Sequence, residues 1–298
     1  MRKILDKLYI KNWIIGIAKC NDQLVIENNK LPKDFHWIVN PDSNKFYADP
    51  FIYKLADGTI YLFCEELNRT NFIGNITCLK LNSNFDIVEK RVLLESGLHF
   101  SYPFLIEYKS KLYVIPENST SNKLVAYEFD KEKIALKNPI EIFNTNLFDC
   151  TFLEHDSKFW IFGYNGDDKK NGYLHIYYSN ELFGEYVPHI SNPVKSGLDA
   201  CRPAGKFIKI KDEIFRPSQN NIKKYGESIS INKIVKLTET EFKEDFSFEL
   251  NAKQFLNGFE RLHTINFSNE YIVIDSTYSK FAPFMQLKRI CNTFFKRI

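Results

Sequence analysis

HFSYPFLIEYKSKLYVIPEN (99–118) sets two apolar runs around a Lys109-Ser110-Lys111 turn and ends beside Glu117. Earlier in the chain, FYADPFIYKLADGTIYLFCEEL (46–67) has the same cadence, with Glu65 in the matching place. Short apolar runs rich in aromatic and β-branched residues, joined by a tight turn, predict a β-hairpin. A hairpin that returns together with its acidic residue predicts a repeat.

The second runs align as YLFCE (61–65), YVIPE (113–117), WIFGY (160–164), FRPSQ (215–219) and YIVID (271–275). Each opens on an aromatic residue, and the starts lie 52, 47, 55 and 56 residues apart. Ahead of them stand ADPFIY, SYPFLIEY, DCTFLEH, RPAGKFIKI and HTINF, with turn residues such as Asp57-Gly58, Asp156-Ser157, Lys211-Asp212 and Ser268-Asn269 between. Further alternating segments follow: NITCLKLN (75–82), KLVAYEFD (123–130), YLHIYYS (173–179) and ESISINKIVKL (227–237). Each unit therefore holds about four strands.

Five four-stranded units predict an all-β fold, a five-bladed β-propeller occupying residues 1–280 as one domain. Paired β-sandwiches compete with this reading but do not call for equal units. The strand at 7–19 is expected to join the last blade and close the ring, which protects sheet edges from stray pairing. Residues 20–45 show no clear repeat, and 281–298 read as a short C-terminal basic amphipathic helix.

Forty basic residues against thirty-seven acidic ones leave +3, too balanced for a nucleic-acid partner. The six cysteines (Cys20, Cys64, Cys78, Cys150, Cys201, Cys291) have no zinc spacing and read as buried free thiols. The apolar run Trp13–Ala18 is too short for a signal core, and no stretch approaches a membrane span. A soluble, cytoplasmic protein is the expectation. The tail FMQLKRICNTFFKRI (284–298) is the candidate for peripheral contact with the inner membrane face, with a helix packed on the propeller's flank as the alternative.

In a propeller, the start of each inner strand and the end of the next lie on one face. The starts carry Asp49, Tyr102, Asp149, Arg202 and His263, and the ends carry Glu65, Glu117, Tyr164, Gln219 and Asp275. Acidic residues at strand ends are also ordinary turn residues, and Asp275 and Tyr164 fit that account. Asp49 in ADPF, Glu117 after Ile115-Pro116 and Arg202 in ACRPAG adjoin apolar strands directly, where a polar group is held fixed.

Carboxyl pairs beside aromatic faces suit glycoside chemistry, in which one protonates the leaving oxygen and another activates water or attacks the anomeric carbon. Asp49, Glu65, Glu117 and Asp149 are the catalytic candidates. Tyr102, Arg202, Arg216, Gln219, Tyr225 and His263 are the substrate-binding candidates. The two arginines suit a phosphate or carboxylate, and Phe46, Tyr47, Tyr102 and Tyr225 offer faces to sugar rings. The histidines lack metal-ligand spacing, and there is no glycine-rich phosphate loop, so neither metal nor cofactor is expected.

FYADPFI, HFSYPF, IPE, DCTFLEHDSKFWIF, LHIYYSNELFGEYVPHISNPV, CRPAGKF, RPSQN and YGESISINKI follow in this order. Together they resemble the N-terminal domain family of plant glucosamine inositolphosphorylceramide transferases and its bacterial relatives, over roughly residues 45–240. That domain is similar in fold to the five-bladed propellers of glycoside hydrolase family 43. In the plant proteins the transferase chemistry is assigned to a separate C-terminal domain. The resemblance implies a role in surface polysaccharide or glycoconjugate synthesis, with a sugar, nucleotide-sugar or lipid-linked glycan as ligand. It also implies a base, a pKa-modulating acid and a proton donor from successive blades. Asp49 fits the base, Glu117 or Glu65 the donor, and Asp149 the modulator.

The functional expectation is a carbohydrate-active enzyme performing glycosyl transfer or hydrolysis. A non-catalytic glycan or nucleotide-sugar module assisting a partner glycosyltransferase is the alternative. A protein-interaction platform is the third reading, and it requires an exposed apolar flank instead of a polar axial pocket.

Overall fold

The computed structural model describes residues 9–282 apart from 119, 169, 170 and 256. Five antiparallel sheets form five blades. The first runs outward from the axis as Lys45–Lys54, Ile60–Asn68, Gly74–Leu81 and Ile87–Leu94. The second repeats the order with Phe100–Tyr108, Lys111–Asn118, Lys123–Asp130 and Ala135–Asn144. In the third, Phe148–His155, Lys158–Asp168 and Asn171–Ser179 are edged by two short strands, Val187–Pro188 and Lys195–Ser196. The fourth contains Asp199–Pro203, Ile208–Ile210, Glu213–Asn220, Ser228–Leu237 and Phe242–Leu250.

The fifth blade is built from both ends of the described chain. Arg261–Ser268 and Tyr271–Phe281 supply its inner strands, and Tyr9–Lys19 and His36–Ile38 its outer ones. Tyr9–Lys19 pairs with Tyr271–Phe281 along its whole length, from Tyr9 opposite Phe281 to Lys19 opposite Tyr271. This ladder closes the ring. Between Tyr9–Lys19 and His36–Ile38, where no repeat is visible, lies the helix Asp22–Asn28, capped by the Asn21 side chain on Leu24 N–H at 2.9 Å. The helix expected over 281–298 lies outside the described residues except at its start, where Phe281 ends a strand.

The hairpin turns sit at the face opposite the acidic rim. Lys109-Ser110 and Asp156-Ser157 have positive φ at both positions, the two-residue geometry that matches strand twist. Apolar faces of adjoining blades supply the core. Phe51 and Phe63 pack with Phe104 and Val114, and Ile15 and Val273 pack with Ile52 and Leu62. Full burial of such side chains contributes roughly 1.5–3 kcal/mol each. Cys64, Cys78, Cys150 and Cys201 are buried free thiols within these layers. Along the axis, Phe51, Phe104 and Phe152 meet at ring-centroid distances of 5.7 and 5.4 Å. Lys206 lays its amine over Phe104, 5.7 Å from the ring centre.

One device recurs in every inner strand. The ladder slips between Ala48 and Phe51, Ser101 and Phe104, Phe148 and Thr151, Asp199 and Pro203, and Leu262 and Ile265. Each slip is a β-bulge, which bends a strand and re-aims a side chain. Asp49, Tyr102, Asp149 and Ala200 take positive φ there, between 43° and 57°. Aspartate tolerates that region, whereas for a ring as bulky as that of Tyr102 it costs of order 1–3 kcal/mol. Pro50 and Pro103 follow two of these residues, where the ladder needs no N–H donor.

Candidate functional site

The bulges turn backbone amides toward the axis, and carboxylates of neighbouring strands receive them. Asp49 N–H donates to Asp275 Oδ2 at 2.9 Å, Tyr102 N–H to Asp49 Oδ2 at 3.2 Å, and Asp149 N–H to Glu117 Oε2 at 2.8 Å. Asp275 Oδ1 accepts from His263 N–H and Thr264 N–H at 3.3 and 2.9 Å. Each of the first three bonds crosses from one blade to the next. The acidic ring therefore stitches the propeller together at one face.

Above the stitches opens a cleft of about 300 Å³, at the small end for a small-molecule site. Asp49, Glu65, Glu117, Arg202 and His263 line it from the rim of the repeat, together with Tyr225. Trp13, Phe46, His99, Ser101 and Phe148 complete most of the wall. Of these only Phe46 stood out in the sequence. Trp13 reaches the cleft from the closing strand, and His99 directly precedes the second repeat.

Four expected positions lie beside or away from this wall. Asp149, almost fully buried, accepts from the Arg202 guanidinium and from Gln219 Nε2 at 3.0 Å. Gln219 thus anchors Asp149 from behind the wall. Tyr102 gives the site its amide, while its hydroxyl pairs with Thr151 Oγ1 at 2.7 Å in the interior. Arg216 is not a ligand clamp at the cleft. It lies inside the fourth blade, bonded to Glu244 at 2.6 and 2.7 Å and to Ala200 O. Strand alternation explains this, since residues 216 and 219 face opposite sides of the sheet. Tyr47, a candidate sugar platform, is also buried outside the cleft wall.

Electrostatics separate the carboxyl groups. Burial pushes Asp49 up to about 6, against the pull of His263 and the Thr264 hydroxyl. Burial raises Glu65 well above the ordinary range, and Asp49 and Glu117 raise it further. Burial and Asp149 raise Glu117 as well, opposed by Arg202 and the Asp149 amide. Arg202 meets the rings of Phe148, Tyr164 and Tyr225 at 5.8, 5.5 and 5.4 Å, so aromatic faces hold this cation beside Asp149.

His263 bridges two acids. Its Nδ1 lies 2.7 Å from Asp275 Oδ1 and its Nε2 3.4 Å from Asp49 Oδ1, with the ring against Trp13 at 4.1 Å. Burial lowers its pKa, but Asp275 and Asp49 outweigh that and leave it raised. Among the described residues, Asp49, His263 and Asp275 form the group compact enough to hold a metal ion, with ligand atoms within 4.8 Å. Hydrogen bonds within the protein already engage both carboxylates. The raised pKa of His263 favours the charged form of the ring that sits between them.

The arrangement can hold a small polar ring between aromatic walls and present it with carboxyls of unequal proton affinity. Residues 38–272 match the family described as "Glucosamine inositolphosphorylceramide transferase 1, N-terminal". The chain belongs to that family. It is 29% identical over 238 residues to glucosamine inositolphosphorylceramide transferase 1 of Arabidopsis thaliana, covering 74% of this chain and 30% of that protein. The protein of that name from Oryza sativa subsp. japonica is 29% identical over 214 residues, 67% of this chain and 28% of the relative. The chain thus spans less than a third of these family members.

Solved structures agree on the fold. A family 117 glycoside hydrolase from Zobellia galactanivorans superposes with a TM-score of 0.55, at 10% identity and 91% coverage of both chains. A family 43 β-1,3-galactosidase with galactodeoxynojirimycin gives a TM-score of 0.54, at 8% identity, covering 73% of this chain and 82% of the other. At such identities the likeness shows the fold alone. The family membership supports a glycan-related role.

Proposed function

We propose that this family member is a carbohydrate-active enzyme that transfers or hydrolyses a glycosyl unit in glycoconjugate or surface-polysaccharide synthesis. The observation that carries the reading is the split in proton affinity among the three carboxyls of one aromatic-walled cleft. Asp49 accepts from the Tyr102 amide and the Thr264 hydroxyl beside His263 and suits a base, whereas Glu65 and Glu117 are raised well above the ordinary carboxylate range and suit a donor. Acid and base roles follow from such a split. Trp13, Phe46, Phe148 and Tyr225 offer the apolar faces a sugar ring packs against. The relatives' name points to an amino sugar and a phosphorylated lipid acceptor as the first compounds to test. A cytoplasmic location, with the basic C-terminal segment on the membrane, belongs to the same proposal.

The test is a panel of nucleotide sugars with and without a lipid or glycan acceptor, read by mass spectrometry. Formation of a glycosyl product or free sugar by the purified chain supports the reading. Calorimetric binding without product favours a second one, a binding module for a partner glycosyltransferase. That reading has its own support, because the relatives extend far beyond this domain and three acids are committed to stitching blades. If no sugar binds at all, both fail.

A further inference from the structure

We infer that Glu65 and His99 form the proton-donating unit of this cleft, with Glu65 holding the proton and His99 positioned to receive the carboxylate it leaves. The inference deepens the glycosyl reading and rests on it. It also settles which acid donates and adds a residue that no repeat pattern marks.

Glu65 is 6% exposed, borders the cleft, and its Oε1 has no hydrogen-bond partner. Its neighbours differ. Asp49 receives the Tyr102 amide and the Thr264 hydroxyl, and Glu117 receives the Asp149 amide. Asp149 receives Arg202 and Gln219. A buried carboxylate without donors is costly, so the unpartnered group is the one that keeps its proton.

His99 Nε2 lies 3.6 Å from that oxygen. The other ring nitrogen, Nδ1, accepts the Gly74 N–H at 3.0 Å. An acceptor Nδ1 has no proton, so the neutral ring carries its hydrogen on Nε2, facing Glu65. Burial lowers the His99 pKa and outweighs a backbone hydrogen bond at Phe72 that raises it, which favours the neutral ring. Ionisation of Glu65 draws the two groups into hydrogen-bond distance. Gly74 serves both partners, because a Cβ there would stand 2.3 Å from Glu65 Oε1 and 2.5 Å from Phe100 O.

The proton balance closes. The bond between the anomeric carbon and the departing oxygen breaks, and its electron pair stays on that oxygen, which takes the Glu65 proton. The incoming hydroxyl, of an acceptor or of water, forms the new bond and gives its proton to Asp49. Solvent then returns a proton to Glu65 and removes one from Asp49. His99 cannot replace Glu65 as the acid, since loss of its Nε2 proton would leave an imidazolate.

Carbon-13 NMR of side-chain-labelled glutamate carboxyls tests the unit without any ligand, with Glu65→Gln assigning the signal. The expected result is a Glu65 carboxyl still protonated at pH 7 that titrates above the ordinary carboxylate range. His99→Phe, which removes the donor, should move that midpoint upward, and His99→Gln, which restores an N–H, should bring it back. A Glu65 ionised at pH 7, or a midpoint indifferent to His99→Phe in a folded protein, overturns the inference. Should the variants misfold, nitrogen-15 spectra of the wild-type histidines decide, because the inference requires the Nε2–H tautomer at His99. An Nδ1–H tautomer or an imidazolium there at pH 7 contradicts it. An ionised Glu65 beside measurable turnover removes this unit alone. A protonated Glu65 beside an inert sugar panel removes the glycosyl reading and the unit's catalytic use with it.

Discussion

The Asp149 backbone amide donates to Glu117 Oε2 at 2.8 Å, and so joins the second blade to the third. The same bond recurs between Asp49 N–H and Asp275 Oδ2 at 2.9 Å, across the ring closure. Acids at this rim therefore have two employments, holding blades in register and facing the cleft. Asp275 serves the first alone, being fully buried and absent from the cleft wall.

Removing Asp275 should accordingly harm stability before anything else. It accepts three amide bonds and pairs with the His263 ring. Asp275→Ala leaves those donors and the His263 ring without a partner, a loss on the order of 3–5 kcal/mol. Urea denaturation should show this, with Asp275→Asn between it and wild type. An Asp275→Ala chain as stable as wild type would remove the stitch from the account.

Stability should fall as pH rises from weakly acidic to mildly alkaline. Asp49 is raised from 3.8 to about 6, so the folded state binds more protons than the unfolded one across that window. Stability is then lost as pH climbs from the unfolded value through the folded one, by ~3 kcal/mol for this group. The raised values of Glu65 and Glu117 extend the decline upward. The raised His263 has the same sign, since its contribution is present below the unfolded value and lost through the folded one. Denaturation midpoints measured from pH 4 to pH 8 check this, and Asp49→Asn should flatten the slope between pH 4 and pH 6.

Gly74→Ala should disturb the site through space alone. Its methyl would collide with Glu65 Oε1 and the Phe100 carbonyl. Overpacking of this kind typically costs about 1–3 kcal/mol. The prediction is a lowered melting temperature together with a Glu65 carboxyl that titrates closer to the ordinary range, because it is pushed out toward water. An unchanged Glu65 titration would show that the carboxyl does not depend on that glycine.

Much of the fold was legible because apolar hairpins, aromatic starts and turn pairs recur at similar spacing, and the strand pairing follows them. The bulges were not. Left-handed backbone at Asp49, Tyr102 and Asp149 leaves no mark in composition, and Tyr102 is a residue that normally avoids it. For that reason Arg202 was aligned with these positions, although Ala200 takes the left-handed conformation in the fourth blade and the wider bulge carries Arg202 to Asp149. Asp275 read as a turn residue because its value lies in amides donated by other strands. His99 gains its tautomer from Gly74, twenty-five residues earlier and on a different blade. Such meanings are tertiary and have no local signature.

The central claim is that the cleft performs glycosyl chemistry with Asp49 as base. Its most direct test is the turnover of Asp49→Asn against wild type on the sugar donor that the panel identifies, at matched folding by melting temperature and circular dichroism. Asparagine is nearly the same shape and accepts the Tyr102 amide, but it cannot take a proton. Loss of general-base catalysis should lower turnover by about 10²–10⁴-fold while sugar binding persists. Turnover within a few-fold of wild type in a folded Asp49→Asn chain would contradict the account.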